Sequence, residues 1–174
     1  MRRVTHNGTK PGYELQLDIR GFFFHIDKEI LYQIIATRMR DEALLWLART
    51  IIFHDCTEQA DFKTDRRLWR HIPPHKTLFG TENRRGLPIG NLTSQFFSNV
   101  YLNELDQFVK HQLKVRHYLR YSDDFVLVHE DPAQLLAWRE QIREFLAERL
   151  RLSLTDPLAS PRLISNGVNF LGYI

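Results

Sequence analysis

The sequence predicts an α+β fold in which helices pack on one face of an antiparallel sheet. Three observations support this fold class: a stretch near the start alternates apolar and polar residues, two later apolar runs have hairpin spacing, and several segments carry apolar residues at helical spacing. Of the 174 residues, 43% are apolar and 26% are charged. That balance is typical of an ordinary globular domain and excludes disorder as the main state.

Other features exclude several classes of protein. No apolar run approaches the roughly 18 residues of a membrane-spanning helix, so no membrane association is expected. The arginines at positions 2 and 3 are not followed by an apolar stretch, so no secretory signal is predicted and a cytoplasmic location is expected. Cys56 is the only cysteine. Neither an internal disulfide nor a cysteine-based zinc cluster can form, and any metal must use oxygen or imidazole ligands.

The first third of the chain predicts one strand followed by two helices. Residues 1–13 are expected to be a flexible N-terminal segment, and residues 13–19 alternate at period two as in a half-buried strand. Asp27 and Asp41 are good helix N-caps. Apolar residues follow each cap at helical spacing: Ile30, Leu31, Ile34, Ile35 and Met39 after the first, and Leu44, Leu45, Ala48, Ile51 and Ile52 after the second.

The middle of the chain predicts a long irregular connection and then a helix. Residues 55–92 show little periodicity and contain several prolines and glycines. Connections of this length inside a compact domain are usually functional or mobile. An amphipathic helix is expected to start near Thr93 or Ser94, with apolar positions Phe97, Tyr101, Leu105, Phe108 and Leu113.

The last third predicts a hairpin, a helix and short strands. Two apolar runs, residues 117–121 and 125–128, are separated by Ser122, Asp123 and Asp124. Asp131 as N-cap and Pro132 as first helical residue open a further helix. Short strands are expected at residues 152–154, 161–164 and 168–173.

Basic residues form two clusters, although the net charge is only +3. Residues 61–85 combine seven lysines and arginines with Trp69, His71 and His75, and the second cluster consists of Lys110, Lys114, Arg116 and Arg120. Basic side chains mixed with aromatic ones suit a phosphate backbone with stackable bases. A solvated surface is the alternative explanation.

Two adjacent acids lie in the predicted hairpin turn. Asp123 and Asp124 are flanked by apolar residues, and burying such flanks beside two carboxylates is costly unless a cation neutralises them. A purely structural turn is the alternative, because Asp often bonds nearby backbone. Asp18 ends the first strand and can meet this turn in a small sheet. Three converging carboxylates suit Mg²⁺, and two such ions about 3.5 to 4 Å apart suit an in-line phosphoryl displacement.

Four stretches in order resemble the palm motifs of bacterial reverse transcriptases. They are residues 17–23 (Leu-Asp-Ile-Arg-Gly-Phe-Phe), 86–95 (Gly-Leu-Pro-Ile-Gly-Asn-Leu-Thr-Ser-Gln), 121–125 (Tyr-Ser-Asp-Asp-Phe) and 169–173 (Asn-Phe-Leu-Gly-Tyr). Within the superfamily that includes retron and group II intron enzymes, the second stretch is most similar to the diversity-generating retroelement type. The resemblance covers residues 14–174 and implies a polymerase palm on a ferredoxin-like antiparallel sheet. It implies RNA-directed DNA synthesis from deoxynucleoside triphosphates and a primer 3′-hydroxyl.

The resemblance also implies roles for individual residues. Asp18 and Asp123 would bridge two Mg²⁺ ions, for which Mn²⁺ can substitute, with Asp124 as the second acid of the turn and the Ile19 carbonyl as a further ligand. Phe23 matches the aromatic residue that screens the sugar 2′ position, although Phe22, Phe23 and Phe24 could all be core residues. Nucleotide contacts are implied for Arg20, Phe23, Ile89, Gly90 and Asn91, and template or primer contacts for Ser94, Gln95 and Tyr121. Arg20 could instead pair with Asp27, and Gln95 could be a helix cap.

The sequence departs from the family pattern in three respects. Ile89 replaces a common glutamine, so laxer base discrimination is expected, which a misincorporation rate as low as that of a glutamine-bearing relative would contradict. No lysine follows Leu154 to protonate pyrophosphate, and Arg162 is a poor proton donor. The chain is expected to lack most of the fingers and the thumb, so processive synthesis by this chain alone is expected to be weak or undetectable, and an accessory protein or the missing domains are expected partners. A catalytically silent palm that binds nucleic acid or a partner is the alternative function.

Overall fold

The computed structural model describes residues 4–5, 9–58, 61, 63, 65–73, 76–79 and 84–172. The chain divides into two compact units. The sheet unit comprises residues 1–20, 102–149 and 153–174, and the helical unit comprises residues 21–101 and 150–152. Residues 1–3 and 6–8, part of the segment expected to be flexible, lie outside the described residues. Within that segment, Val4 is buried and the N–H of Lys10 donates to the carbonyl of Thr5.

The sheet unit is built on an antiparallel sheet of four strands in its described part. The strands are β1 (Tyr13–Asp18), β2 (His117–Tyr121), β3 (Asp124–His129) and β4 (Arg162–Leu163), in the order β2-β3-β1-β4. Strand β1 pairs with β3 over its whole length, from Tyr13 opposite His129 to Asp18 opposite Asp124. The predicted α+β class with an antiparallel sheet is confirmed.

The two faces of the sheet have different characters because successive side chains of a strand point to opposite sides. On one face Leu15, Leu17, Phe125 and Leu127 are buried. Contacts made from this face include the Tyr118 hydroxyl with Asp106 of helix α4 and the His129 ring against Trp138 of helix α5. The other face carries the polar side of β1, which consists of Glu14, Gln16 and Asp18. Helices therefore cover one face, as predicted.

Two helices contribute to the sheet unit. Helix α4 (Leu92–Gln107) begins in the helical unit, one residue before the predicted start, and continues as a π-helix over Phe108–Gln112. Helix α5 (Pro132–Leu150) begins at the predicted proline, and Asp131 accepts a hydrogen bond from the N–H of Ala133. The Phe108 and Phe145 rings stack with centroids 4.2 Å apart, which joins the two helices.

The helical unit contains helices α1 (Phe22–His25), α2 (Lys28–Ala36) and α3 (Glu42–Phe53), together with the first ten residues of α4. The two predicted N-caps are confirmed. Asp27 accepts hydrogen bonds from the N–H groups of Glu29 and Ile30, and Asp41 accepts one from Leu44. Residues 55–91 are largely irregular where they are described, as predicted, apart from a 3₁₀ helix at Arg66–His71.

Two local predictions are wrong, and one short helix was not predicted. The three consecutive phenylalanines lie in that helix, α1, because Gly21 adopts a left-handed φ of 53° and turns the chain. The hairpin turn has two residues, Ser122 and Asp123, because Asp124 already pairs with Tyr121 as the first residue of β3. Of the predicted terminal strands, residues 152–154 provide a single bridge, from Leu154 to Ile19, and residues 168–172 provide a single bridge residue, Phe170, and no strand. No helix in the described part is long and apolar enough to cross a membrane.

Candidate active site

The sheet unit brings three carboxylates together at one end of the sheet. Asp18 is the last residue of β1 and lies directly opposite Asp124, the first residue of β3. Directly opposed residues of an antiparallel pair have Cα atoms roughly 4.5 to 5.5 Å apart. Asp123 precedes Asp124 as the second residue of the hairpin turn. The convergence predicted for the end of β1 and the acidic hairpin is therefore present.

The carboxylates of this cluster repel one another. Partial desolvation, then the negative charges of Asp18 and Asp123, raise the pKa of Asp124 above its ordinary value. Like charges at short range disfavour the ionised form, and a cation between them would reverse the effect. The cluster is therefore set up to attract positive charge.

Thr155 holds Asp18 from the side opposite the hairpin. The Thr155 hydroxyl donates to Oδ2 of Asp18 at 2.5 Å, and the Thr155 N–H donates to the Asp18 carbonyl at 2.8 Å. On the other side of the bridge between Ile19 and Leu154, the Arg20 N–H donates to the Ser153 carbonyl. Neither of the two hydrogen bonds that flank this bridge uses the Ile19 carbonyl. Sequence reasoning gave Thr155 no role, since nothing local marks a threonine 137 positions from its partner.

A cavity of about 510 Å³ opens beside the carboxylates. Its lining includes Asp18, Asp124, Thr155, Arg162 and Phe170. Phe170 belongs to the fourth motif, which is held near β1 by a 2.7 Å hydrogen bond from the Gln16 side-chain amide to the Asn169 carbonyl. The first, third and fourth motifs thus contribute to one cavity.

The donor atoms at the cluster suit a hard divalent cation. Among the described residues, no group of three or more Asp, Glu, His or Cys side chains is arranged to hold a metal ion by itself. Mg²⁺ does not require such a cage, because it usually binds one or two carboxylates and completes its shell with water and substrate phosphates. Opposed Asp18 and Asp124, with Asp123 beside them, offer oxygen donors of the required type.

Phe23 and the second motif lie in the helical unit and are joined by backbone hydrogen bonds. The Leu87 N–H donates to the Phe23 carbonyl at 2.7 Å, and the Gly86 N–H donates to the Ile26 carbonyl at 2.8 Å. Phe22 is fully buried, whereas Phe23 is partly exposed, with its ring centroid 5.3 Å from that of Phe22. Phe22 is thus a core residue and Phe23 retains solvent-facing surface.

Gly86 is the first residue of the second motif, and the sequence alone indicated no individual role for it. Its φ is +85°, a value that L side chains rarely adopt. An added Cβ would overlap the Leu78 side chain and approach the Phe24 carbonyl oxygen to 3.1 Å. Glycine is therefore needed for the second motif to run alongside helix α1.

The remaining second-motif residues differ in exposure. The exposed residues of this motif are Ile89, Gly90, Asn91, Leu92, Thr93 and Gln95. Gly90 has a φ of +100° and open space where a Cβ would stand. Ser94 is only 3% exposed, so of Ser94 and Gln95 only Gln95 presents its side chain to solvent. The Gln95 N–H donates to the Asn91 carbonyl within the first turn of α4.

The predicted contacts Arg20 and Tyr121 lie in the sheet unit, and both are exposed. Asp27, the alternative partner considered for Arg20, receives a 2.8 Å hydrogen bond from Arg151 and caps helix α2. Its carboxylate is therefore already neutralised by another arginine.

The basic clusters are only partly available to phosphate. Arg120 was counted in the second cluster, but its side chain is 10% exposed and forms an ion pair with Asp106. Lys110 lies over the Tyr118 ring at 5.8 Å. In the first cluster, Lys63, Arg67 and Lys76 are exposed. His75 and the side chains of Arg66 and Arg70 lie outside the described residues.

Comparison with known proteins identifies the family. The family described as "Reverse transcriptase (RNA-dependent DNA polymerase)" matches residues 2–174. The group II intron-encoded protein LtrA of Lactococcus lactis subsp. cremoris is 22% identical over an aligned length of 218 residues, which covers 90% of this chain and 33% of that protein. The protein of the same name from strain MG1363 gives the same values. The chain spans about a third of the length of these relatives. The resemblance read from the motifs is confirmed at this level, and the chain belongs to the reverse transcriptase family.

Proposed function

We propose that this chain catalyses RNA-directed DNA synthesis, with Asp18, Asp123 and Asp124 at its catalytic centre. The observation that carries the proposal is the opposition of Asp18 and Asp124 at the end of a palm-like sheet. Membership of the family and the raised pKa of Asp124 support it. The substrates would be an RNA template, a DNA or RNA primer and a deoxynucleoside triphosphate.

The acidic cluster would hold two Mg²⁺ ions. Asp18, Asp123 and Asp124 would supply the carboxylate ligands, and the Ile19 carbonyl would be a further donor. When bound, the ions would stabilise the charge on the attacking and leaving oxygens. Thr155 would orient Asp18, because its hydroxyl occupies Oδ2 and leaves Oδ1 outside that hydrogen bond.

The exposed residues of the motifs would contact the substrates. Phe23 would screen the sugar 2′ position, and the open backbone at Gly90 would allow close approach by the nucleotide, flanked by Ile89 and Asn91. Arg20 would contact the triphosphate, which the pairing of Asp27 with Arg151 favours. Arg162 lines the cavity and would balance phosphate charge without donating a proton.

The template and primer would meet Gln95 and Tyr121. Both side chains are exposed, whereas the burial of Ser94 favours a structural role for its hydroxyl. We further propose that the chain is of the diversity-generating retroelement type, because residues 89–95 read Ile-Gly-Asn-Leu-Thr-Ser-Gln. An accessory protein or further domains would hold the duplex.

Primer extension on an RNA template with Mg²⁺ tests the function. Wild type should extend the primer, and Asp123→Ala and Asp124→Ala should each abolish extension. Asp41→Asn is the matched control, because asparagine caps a helix as well as aspartate does, and Asp41 caps α3 and belongs to none of the four motifs. RNA binding that persists without synthesis in any version would contradict the enzyme and favour a binding module.

A further inference from the structure

Arg120 connects three elements of the sheet unit. It lies on strand β2, and its Nε and Nη2 donate to the two carboxylate oxygens of Asp106 on helix α4, at 2.8 and 2.6 Å. Its Nη1 donates to the Ser122 carbonyl in the hairpin turn at 2.9 Å. The guanidinium therefore ties the turn to the end of a packed helix through all three of its nitrogens.

Asp106 is itself fixed in place. The Tyr118 hydroxyl donates to Asp106 Oδ1 at 2.8 Å, so the carboxylate receives three hydrogen bonds from β2. Burial and the charge of Asp106 raise the pKa of Tyr118, which keeps this hydroxyl protonated as a donor. A bidentate arginine–carboxylate pair is geometrically specific, and here its arginine side chain is only 10% exposed.

The hairpin turn to which Arg120 donates a hydrogen bond has a disfavoured backbone conformation. Ser122 has a φ of +54°, a left-handed value that non-glycine residues adopt only where the surroundings hold them. Its carbonyl belongs to the peptide that joins Ser122 to Asp123. A hydrogen bond to that oxygen sets the plane of the peptide, and therefore the direction in which the Asp123 side chain leaves the turn.

We propose that Arg120 is a positioning residue that presents Asp123, and with it Asp124, to the divalent cations of the active site. This inference rests on the proposed function of the acidic cluster. Lysine cannot replace arginine in this role, because a single ammonium cannot reproduce the fixed fork that reaches Asp106 and Ser122 together.

Variants at Arg120 test the proposal in the full 174-residue chain. Arg120→Lys and Arg120→Gln should weaken Mn²⁺ binding, measured by water-proton relaxation, by roughly 10- to 100-fold, as expected for residues that orient metal ligands. The Mg²⁺ concentration needed for half-maximal primer extension should rise in parallel, while the KM for nucleotide changes little. The Asp123 and Asp124 amides should also exchange faster with solvent in the metal-free protein.

Tyr118→Phe is the matched control. It removes the hydrogen bond that the Tyr118 hydroxyl donates to Asp106 but leaves the bidentate Arg120–Asp106 pair and the bond from Arg120 to the Ser122 carbonyl. The Mn²⁺ affinity and the amide exchange should therefore stay close to wild type. A folded Arg120→Lys with wild-type Mn²⁺ affinity and wild-type amide exchange overturns the proposal. If Tyr118→Phe weakens Mn²⁺ binding as much as the arginine variants do, the effect is structural and the proposal also fails.

Two further outcomes are informative. If the Arg120 variants do not fold, Asp106→Asn replaces them, and a folded Asp106→Asn with unchanged Mn²⁺ affinity overturns the proposal. If no version extends a primer but the variants still lower Mn²⁺ affinity, Arg120 positions the acids as inferred and it is the polymerase function that fails.

Discussion

Strand β1 carries two carboxylates on the same face, and their surroundings differ. Glu14 and Asp18 are four positions apart, so both point to the side away from the helices. Glu14 is 2% exposed, lies opposite Val128 and pairs on its other side with Arg162 of β4. Asp18 is partly exposed, lies opposite Asp124 and accepts a hydrogen bond from Thr155.

The difference shows that the neighbouring strands decide what an acid on this face does. Burial raises the pKa of Glu14, and a hydrogen bond from Gln16 and the charge of Arg162 only partly oppose this. Its Oε2 has no hydrogen-bond partner among the described residues. An ionised Glu14 is therefore costly to the fold, whereas Asp18 faces a second acid and open cavity, where its charge can be used.

The strongest way to break the comparison is to make the same chemical change in both acids. If Asp18 binds the catalytic cations as proposed, Asp18→Asn should lower the rate of primer extension by at least about 10³-fold, because it removes a negative charge needed to hold them in the transition state. Glu14→Gln should leave that rate essentially unchanged. Single-turnover extension measures both, and an equal loss in the two variants would show that Asp18 has no special role.

A smaller effect is expected when Asp18 is kept and its hydrogen bond is removed. Thr155→Val deletes the hydroxyl that orients Asp18 and should slow extension roughly 10-fold, the lower end for residues that orient metal ligands. Thr155→Ser keeps the hydroxyl and should retain most of the activity. Loss of activity in Thr155→Ser comparable to that in Thr155→Val would point to packing of the methyl group.

The changes at Asp18 and Thr155 should lower activity, whereas Glu14→Gln should raise the stability of the fold. Because the folded-state pKa of Glu14 is raised, the native state binds more protons than the unfolded state between the two pKa values, and stability falls as pH rises through that interval. Glu14→Gln should therefore raise the free energy of unfolding at pH 7, because it removes a charge that the folded state disfavours. The gain should vanish once the pH is below the ordinary carboxyl pKa. Urea denaturation of both proteins at several pH values gives the difference, and a pH-independent gain would rule out this cause.

The smallest effect is expected for a substitution in the hairpin turn between β2 and β3. Ser122→Gly relieves a left-handed conformation that costs about 1 to 2 kcal/mol for an L residue, but glycine loses about 0.5 to 1 kcal/mol more in conformational freedom on folding. The net gain in stability should lie between zero and about 1.5 kcal/mol, measured by thermal unfolding. A marked destabilisation would mean that the Ser122 side chain has a role of its own.

The sequence predicted the parts of the fold that local pattern controls. Period-two alternation located β1, and two aspartate caps located α2 and α3, because these signals lie within a few residues of the element they define. The convergence of the acids was predicted for the same reason: Asp18 ends a recognisable strand, and Asp123 and Asp124 are adjacent where two apolar runs have hairpin spacing.

The rest of the site depends on contacts between distant residues. Thr155 meets Asp18 across 137 positions, and Arg120 meets Asp106 across 14. No local pattern distinguishes such partners from other threonines and arginines, so Arg120 was counted with the solvent-facing basic residues. Helix α1 was missed because its start depends on the left-handed backbone of Gly21 and not on a periodic signal.

Gly86 limits how the second motif can change during evolution. The Leu78 side chain can move aside to admit a Cβ, but the positive φ and the nearby Phe24 carbonyl would remain. Exposed neighbours such as Ile89 can be replaced by many other residues without a change in the backbone path. Glycine is therefore the residue that this backbone requires at position 86. Any other residue there would force the chain beside helix α1 onto a different path, and the second motif would move with it.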